Sequence, residues 1–302
     1  MTIKSLLKRI YSRIRTIAAS KRGSAAYWTV HMVSHSNFHS SEESLNHFHW
    51  RNAQYPGYLE LMPVSGQNHK VVLDYGCGPG NDVVGFAVYS NPQKLIAADV
   101  SNTAIEIAQK RLALHGKQAE FIHVDEISNS IHLPSESVDY IHTSGVLHHC
   151  TNLSAVLKEF HRILKTDGEV SVMVYNYHSI WLHLYTAWIQ QLNLGKYQSM
   201  SVLEAFRRTT DGEECPISHC YTSDQFIGIM HNHGFEGKFK GASISLTEMR
   251  MLDKRFDAIG DRRLPSEHRN FLSELRFDDR GVPIYKGSVA GINACYSFHK
   301  SN

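Results

Sequence analysis

Three glycines in five residues, Gly76, Gly78 and Gly80, directly follow the apolar run Val71-Val72-Leu73, with Asp74 between the run and Tyr75 and with Cys77 inside the turn. A buried strand that enters a glycine turn and then a helix brings bare backbone against a ligand, because a Cβ at those positions would block the approach. The chemistry this suits is the holding of a nucleoside-like cofactor. The dinucleotide fingerprint spaces its glycines GxGxxG; here the third glycine comes one residue early, with Pro79 before it. A second acid, Asp99, closes the run Leu95-Ile96-Ala97-Ala98, with Val100 beside it. That is about 20 residues past the glycine turn, where a carboxylate can accept hydrogen bonds from both ribose hydroxyls. His148 and His149 follow another apolar run. Histidine takes up a proton near neutrality, so this pair is the candidate general base.

The elements that must hold these residues alternate strand and helix, the order of a parallel sheet with helices on both faces. Strands are predicted at Val71–Asp74, Leu95–Ala98, Glu120–Val124, Val138–Thr143 and Glu169–Val174, with helices near Asp82–Tyr89, Thr103–His115 and Leu153–Leu164. The stretches Lys238–Leu246 and Gly291–Lys300 read as two final strands, one of them antiparallel. What is left over is long enough to cover the carboxyl ends of the strands: an N-terminal extension over residues 1–65, then insertions near 176–235 and 247–288 within a main domain of residues 66–302. Aromatic residues at Tyr55 to Tyr58 and Tyr175 to Trp181 suggest pocket walls. Arg51, Tyr177 and His178 are the candidate substrate contacts, Arg51 because a guanidinium can grip a carboxylate.

Asp74 to Asp82 resembles motif I of the class I S-adenosylmethionine-dependent methyltransferases, and the resemblance continues in order. Asp139 to His149 is similar to that family's fourth-strand motif, and Leu157 to Met173 to its following helix, turn and fifth strand. The resemblance implies a Rossmann-like α/β fold with a seven-stranded, mostly parallel sheet, plus the N-terminal extension and helical lid insertions. It implies S-adenosylmethionine as cofactor and methyl transfer to an oxygen, less readily a nitrogen, of a small molecule or bacterial saccharide. In that frame Asp74 suits the ammonium of the methionyl part. Gly76, Cys77, Gly78 and Gly80 give close approach, Asp99 meets the ribose, Asp125 accepts from the adenine amino group, and Val100, Glu126 and Ser144 are counted with them as cofactor-binding residues. A nicotinamide-dependent oxidoreductase, or a scaffold that binds the cofactor and serves a partner, are the alternatives. The segment Gly212 to Thr222 resembles one seen in small-molecule and glycan-modifying members.

Composition narrows the rest. A chain of 302 residues, 42% hydrophobic and 20% charged, can bury a large core. A net charge of +2 gives no clustered basic face for nucleic acid. Five cysteines point to a reducing, cytoplasmic setting rather than a disulfide framework. No apolar run reaches the roughly 18 residues of a spanning helix, and no signal peptide is expected. Residues 1–20 alternate Ile3, Leu6, Leu7, Ile10, Ile14 and Ile17 with lysines and arginines. Such a basic amphipathic helix suits an anionic membrane surface, a partner or the protein's own body. Cys215, His219 and Cys220 lie close in sequence without a second paired cluster, so no metal is expected.

Overall fold

The computed structural model describes Thr16, residues 23–32 and residues 36–301. The basic amphipathic pattern of residues 1–20 thus lies outside the described residues, apart from Thr16. Strands run β1 (Val71–Tyr75), β2 (Lys94–Asp99), β3 (Glu120–His123), β4 (Val138–Ser144), β5 (Leu164–Asn176), β6 (Cys220–Tyr221), β7 (Phe235–Ser243), β8 (Arg276–Phe277), β9 (Pro283–Tyr285), β10 (Ser288–Val289) and β11 (Asn293–Lys300). The main sheet has the order β3-β2-β1-β4-β5-β11-β7, with β6 added beside the end of β5. All pairs from β3 to β5 are parallel, and β11 is antiparallel to both of its neighbours. This is the seven-stranded, mostly parallel sheet expected. The chain reverses its direction of winding between β1 and β4, and in open α/β sheets ligands bind above the strand ends at such a point.

Helices α1 (Ser24–Val30), α2 (Ser41–Ala53) and α3 (Tyr58–Leu61) precede the sheet; α4 (Asn81–Tyr89), α5 (Asn102–Leu114) and α6 (Leu153–Ile163) connect its strands. Period-two alternation along β1 sorts its side chains to two cores. Leu73 and Tyr75 pack with Phe160 and Ile163 of α6. Val72 faces the other way, onto Val83 and Phe86 of α4 and Phe48 of α2. Two of the turns into these helices carry a side-chain cap: the Ser101 hydroxyl accepts from Ala104 N before α5, and Asn152 accepts from Ala155 N before α6.

After β5 come α7 (Trp181–Asn193), wound with the wider i→i+5 turn, α8 (Val202–Asp211) and α9 (Ser223–His231); α10 (Leu246–Met251), α11 (Arg255–Gly260) and α12 (Ser266–Glu274) lie between β7 and β11. Ile180, Leu184 and Trp188 meet Ala258, Phe271 and Leu272 in a core of their own. Two expectations are corrected. The seventh strand begins at Phe235 and stops at Ser243, because Ser245 and Glu248 form a reciprocal cap that starts α10. The 247–288 insertion is not wholly helical: β8, β9 and β10 form a small antiparallel sheet. Its first turn closes where Asp278 accepts from the backbone N–H groups of Arg280 and Val282, at 2.9 and 2.8 Å.

Candidate active site

A cavity of about 280 Å³ opens above the carboxyl ends of β1 to β5, covered by α1, α3 and the end of α8. Its floor is the glycine turn. Gly76 has φ +76°, and a Cβ there would stand 2.2 Å from the Val146 side chain, so packing as well as conformation demands glycine. Gly78 differs: its φ is +51°, and a Cβ would meet nothing within 4 Å. The bare backbone at Gly78 faces open cavity, which is a cradle that a side chain would fill. Cys77 and Val100 line the cavity and Gly80 caps α4.

Three acids converge on this end. Asp74 is 3% exposed and lines the cavity. Burial pushes its carboxyl up to about 7, His142 pulling the other way, and no hydrogen bond from the described residues reaches it. A buried carboxylate without a donor is a place for a ligand cation. Asp99 accepts from Gly78 N at 2.9 Å and from Ser101 N at 2.8 Å, which ties the glycine turn to the end of β2. Burial pushes its carboxyl up, with those backbone donors opposing. Each oxygen keeps acceptor capacity for a further donor. Asp82, at the start of α4, is the third acid and was not singled out in the sequence. Arg51 pairs with it at 2.8 Å and His142 approaches at 3.4 Å. Burial raises the Asp82 carboxyl but Arg51 and His142 outweigh it, and the net shift is downward. Arg51 reaches the cavity with its charge already answered.

Asp125 does not reach the cavity. It is exposed, and its carboxylate accepts from Ile127 N and Ser128 N, closing its own turn. Backbone and side-chain hydrogen bonds from Ser128 hold its carboxyl low. Glu126, next to it, lines the cavity and accepts from Ala25 N of α1 at 2.5 Å. Ser144 lines it as well, hydrogen bonded to the Tyr58 hydroxyl.

The two histidines part company. His148 is fully buried, its two ring nitrogens have no partner, and its ring lies 3.8 Å from that of Tyr175. Burial, then His149, holds it well below the usual histidine range, so it stays neutral. His149 faces the cavity. Its Nδ1 lies 2.8 Å from the Ile217 carbonyl, which fixes Nδ1 as the donor and leaves Nε2 as an acceptor. Nε2 sits 3.6 Å from Asp211 Oδ1, and Trp28 of α1 packs against the ring at 4.5 Å. Burial lowers the pKa of His149, with Asp211 opposing.

Asp211 is buried at the end of α8, held by the Tyr175 hydroxyl on Oδ1 and the Ser218 hydroxyl on Oδ2, both at 2.7 Å. It immediately precedes the Gly212 to Thr222 segment and went unnoticed; a lone acid at a helix end carries no motif. Trp28 was missed for the same reason. Tyr55, Tyr58 and Tyr175 do form cavity walls. Tyr177 and His178 do not line the cavity; His178 packs beside Tyr285 and Phe271 of the second core. Tyr177 lies past the end of β5, where the alternation stops, and its ring packs edge-on against His178 and His183. The donors that converge are His149, Asp211 and Cys215, within 4.8 Å of one another, rather than Cys215, His219 and Cys220.

Residues 72–168 match the family model described as a methyltransferase domain. An uncharacterized methyltransferase of Schizosaccharomyces pombe is 29% identical over 108 residues, which cover 33% of this chain and 37% of that protein. The demethylmenaquinone methyltransferase of Lactobacillus johnsonii is 29% identical over 104 residues, 33% of this chain and 42% of that one. The matches thus span about two fifths of these relatives' length. In fold, the YcgJ protein from Bacillus subtilis superposes with a TM-score of 0.51 at 16% identity, covering 81% of this chain and 97% of its own. A Haloferax volcanii methyltransferase solved with the Trm112 methyltransferase activator gives 0.52 at 15% identity, covering 86% and 93%.

Sheet order, glycine turn and family match together define the class: a class I methyltransferase domain. Over residues 72–168 this is the form of that domain dependent on S-adenosylmethionine. Its residues suit that cofactor. Gly78 offers bare backbone, and Asp74 is an unpartnered buried carboxylate. Among the described residues no helix is long and apolar enough to cross a membrane.

Proposed function

We propose that the protein methylates an oxygen, in preference to a nitrogen, of a small molecule or saccharide, with His149 as the base that takes the acceptor's proton. S-adenosylmethionine, when bound, supplies a methyl group already activated on a sulfonium. The residues that would hold it are Asp74 for the ammonium, Asp99 for the ribose hydroxyls, and Gly76 and Gly78 for close approach; Gly80 faces Ala108 of α5 instead, and a Cβ there would stand 3.0 Å from that side chain. Glu126 and Val100 would face its nucleoside half. The chain's remaining tasks are alignment and the exclusion of water.

The observation that supports oxygen transfer is the tautomer of His149. Its Nδ1 proton is engaged by the Ile217 carbonyl, so Nε2 presents a lone pair to the cavity and stays neutral through burial. An acceptor hydroxyl must lose its proton as the new bond forms, and a neutral imidazole placed there receives it. His148 has no route to that proton, because it does not line the cavity and is sealed against Tyr175. The acceptor would lie between Trp28, Tyr55, Tyr58 and Tyr175, an apolar enclosure with polar rims suited to a ring-bearing small molecule.

Calorimetry with S-adenosylhomocysteine tests the reading. The wild-type protein should bind it with one site, and Asp99→Ala should weaken binding by about 10- to 100-fold through the loss of two charge-assisted hydrogen bonds. A wild-type protein that does not bind it would sink the methyltransferase reading. Undiminished affinity in Asp99→Ala would sink the assigned pose.

A further inference from the structure

At the acceptor end of the cavity two hydrogen-bond acceptors face each other with no donor between them. His149 Nε2 is an acceptor because Nδ1 donates to Ile217, and Asp211 Oδ1 stands 3.6 Å away. Oδ1 already accepts from the Tyr175 hydroxyl, yet its other lone pair faces that of Nε2, and two lone pairs held that close in a buried place are unfavourable unless a ligand supplies protons to both. The arrangement is built rather than incidental. Asp211 is held by two hydroxyls, from Tyr175 on β5 and Ser218 beyond the turn, and the Tyr27 hydroxyl of α1 donates to its main-chain carbonyl at 2.5 Å. Four segments far apart in the chain thus fix one carboxylate against one imidazole.

We infer that this pair is a recognition site for two adjacent hydroxyls, so that the acceptor is a vicinal diol, such as a sugar or a catechol, with Asp211 the residue that selects it. This rests on the oxygen-transfer reading given above. A single hydroxyl has one proton to donate and can satisfy only one of the two acceptors. A neighbouring hydroxyl satisfies the other. The reacting hydroxyl then donates to His149 Nε2, its proton passes there as its oxygen gains the methyl group, and the donor leaves as the neutral thioether. The second hydroxyl donates to Asp211 and stays unmethylated. A primary amine could also give two protons, but a buried carboxylate beside it would keep it as ammonium, with no lone pair to accept a methyl group.

A divalent metal is the competing occupant, since Cys215 adds a third donor atom. The Cys215 thiol, however, donates to the Ile217 carbonyl at 3.3 Å. Burial, and then Asp211, push that thiol up to about 12, so a metal would have to displace its proton as well as that hydrogen bond.

The test is a fragment screen by ligand-observed NMR on the full chain loaded with S-adenosylhomocysteine. The set contains 1,2-diols (catechol and methyl glycosides), the matched compounds lacking one hydroxyl, and primary amines. The diols should bind better than their monohydroxy partners by about tenfold, and Asp211→Asn should remove that preference while S-adenosylhomocysteine affinity holds. Equal binding of diols and monohydroxy compounds, absence of diol hits, preference for amines, or a preference that survives in Asp211→Asn would each overturn the inference. So would stoichiometric zinc in the purified protein or zinc binding that Cys215→Ala abolishes. Should Asp211→Asn fail to fold, Ser218→Ala, which removes only one support of the carboxylate, should still reduce the preference by several-fold. Failure to bind S-adenosylhomocysteine at all would strike the methyltransferase reading instead, which separates the two.

Discussion

The cofactor end of the cavity takes its polar groups from the ends of successive strands: Asp74 near the end of β1, Asp99 at the end of β2, Glu126 just past β3 and Ser144 at the end of β4. The acceptor end takes its groups from α1, α3, β5, a short helical turn at Leu147–His149 and the end of α8, with Tyr27 and Asp211 joined across the whole intervening chain. Parallel topology enforces the first pattern, because every strand of such a sheet delivers its carboxyl end to the same edge. Nothing in the sheet enforces the second. It depends on how the cap folds back, and so it can vary while the cofactor end stays fixed.

The largest effect is expected of Gly78→Val at the cofactor end. The cavity is open at that position, so the variant should fold, with a left-handed strain of about 1 kcal/mol. It should nonetheless lose S-adenosylhomocysteine binding to below detection in calorimetry, because the side chain occupies the cradle. Retained binding would show that the turn does not approach the ligand.

On the acceptor side, His149→Ala should cut turnover by about 10²- to 10⁴-fold, followed as S-adenosylhomocysteine formation with a diol from the screen, and should leave cofactor affinity within a few-fold. His148→Leu, one residue away but sealed against Tyr175, should keep turnover within an order of magnitude. Equal losses in both would mean that the pair acts through packing and not by proton transfer.

The two ends also differ in how much of them could be read from the sequence. The sheet, its order of winding and the acids Asp74 and Asp99 were legible because apolar runs, glycines and strand-end carboxylates lie within a few residues of each other. Asp125 and Glu126 were placed together by analogy, and only Glu126 turns inward: the Asp125 carboxylate is used up on its own turn. His148 and His149 could not be told apart, since a short helical turn aims one ring at the cavity and the other at the core. Asp211 and Trp28 were invisible because their meaning comes only from contacts across 184 and 121 residues, Tyr27 to Asp211 and Trp28 to His149. Tyr177 and His178 were named for their aromatic company and pack away from the cavity, Tyr177 beside Leu182, Phe206 and Ile292 and His178 beside Phe271 and Tyr285 of the second core.

Proton uptake sharpens the assignment at the cofactor end. Burial holds the Asp74 carboxyl at about 7, above its ordinary 3.8, so between these values the folded protein binds more protons than the unfolded chain. Its contribution to stability therefore falls as pH rises through that window. A ligand ammonium placed beside it draws the pKa back down. Binding of S-adenosylhomocysteine near pH 6 should then release about one proton, read from calorimetry in buffers of different ionisation enthalpy, and Asp74→Asn should abolish the release. Binding without proton release would put the ammonium elsewhere.

The smallest effect is expected where the two ends meet. Glu126 lines the cofactor end, yet its Oε2 holds Ala25 N of α1, the helix whose Trp28 packs on His149. A second tie runs from the Thr29 hydroxyl to Ser101, beside Asp99. Removing one of two ties over a half-buried contact costs about 1 kcal/mol, so Glu126→Ala should weaken S-adenosylhomocysteine binding by only a few-fold. The larger share of its effect should fall on α1: faster amide exchange over residues 24–30 and increased solvent access to Trp28 by fluorescence quenching. If Glu126 instead served the adenine alone, affinity would fall as it does in Asp99→Ala and α1 would exchange at the wild-type rate. The ratio of those two readouts therefore measures whether the cover over the acceptor is held by the cofactor end or folds independently of it.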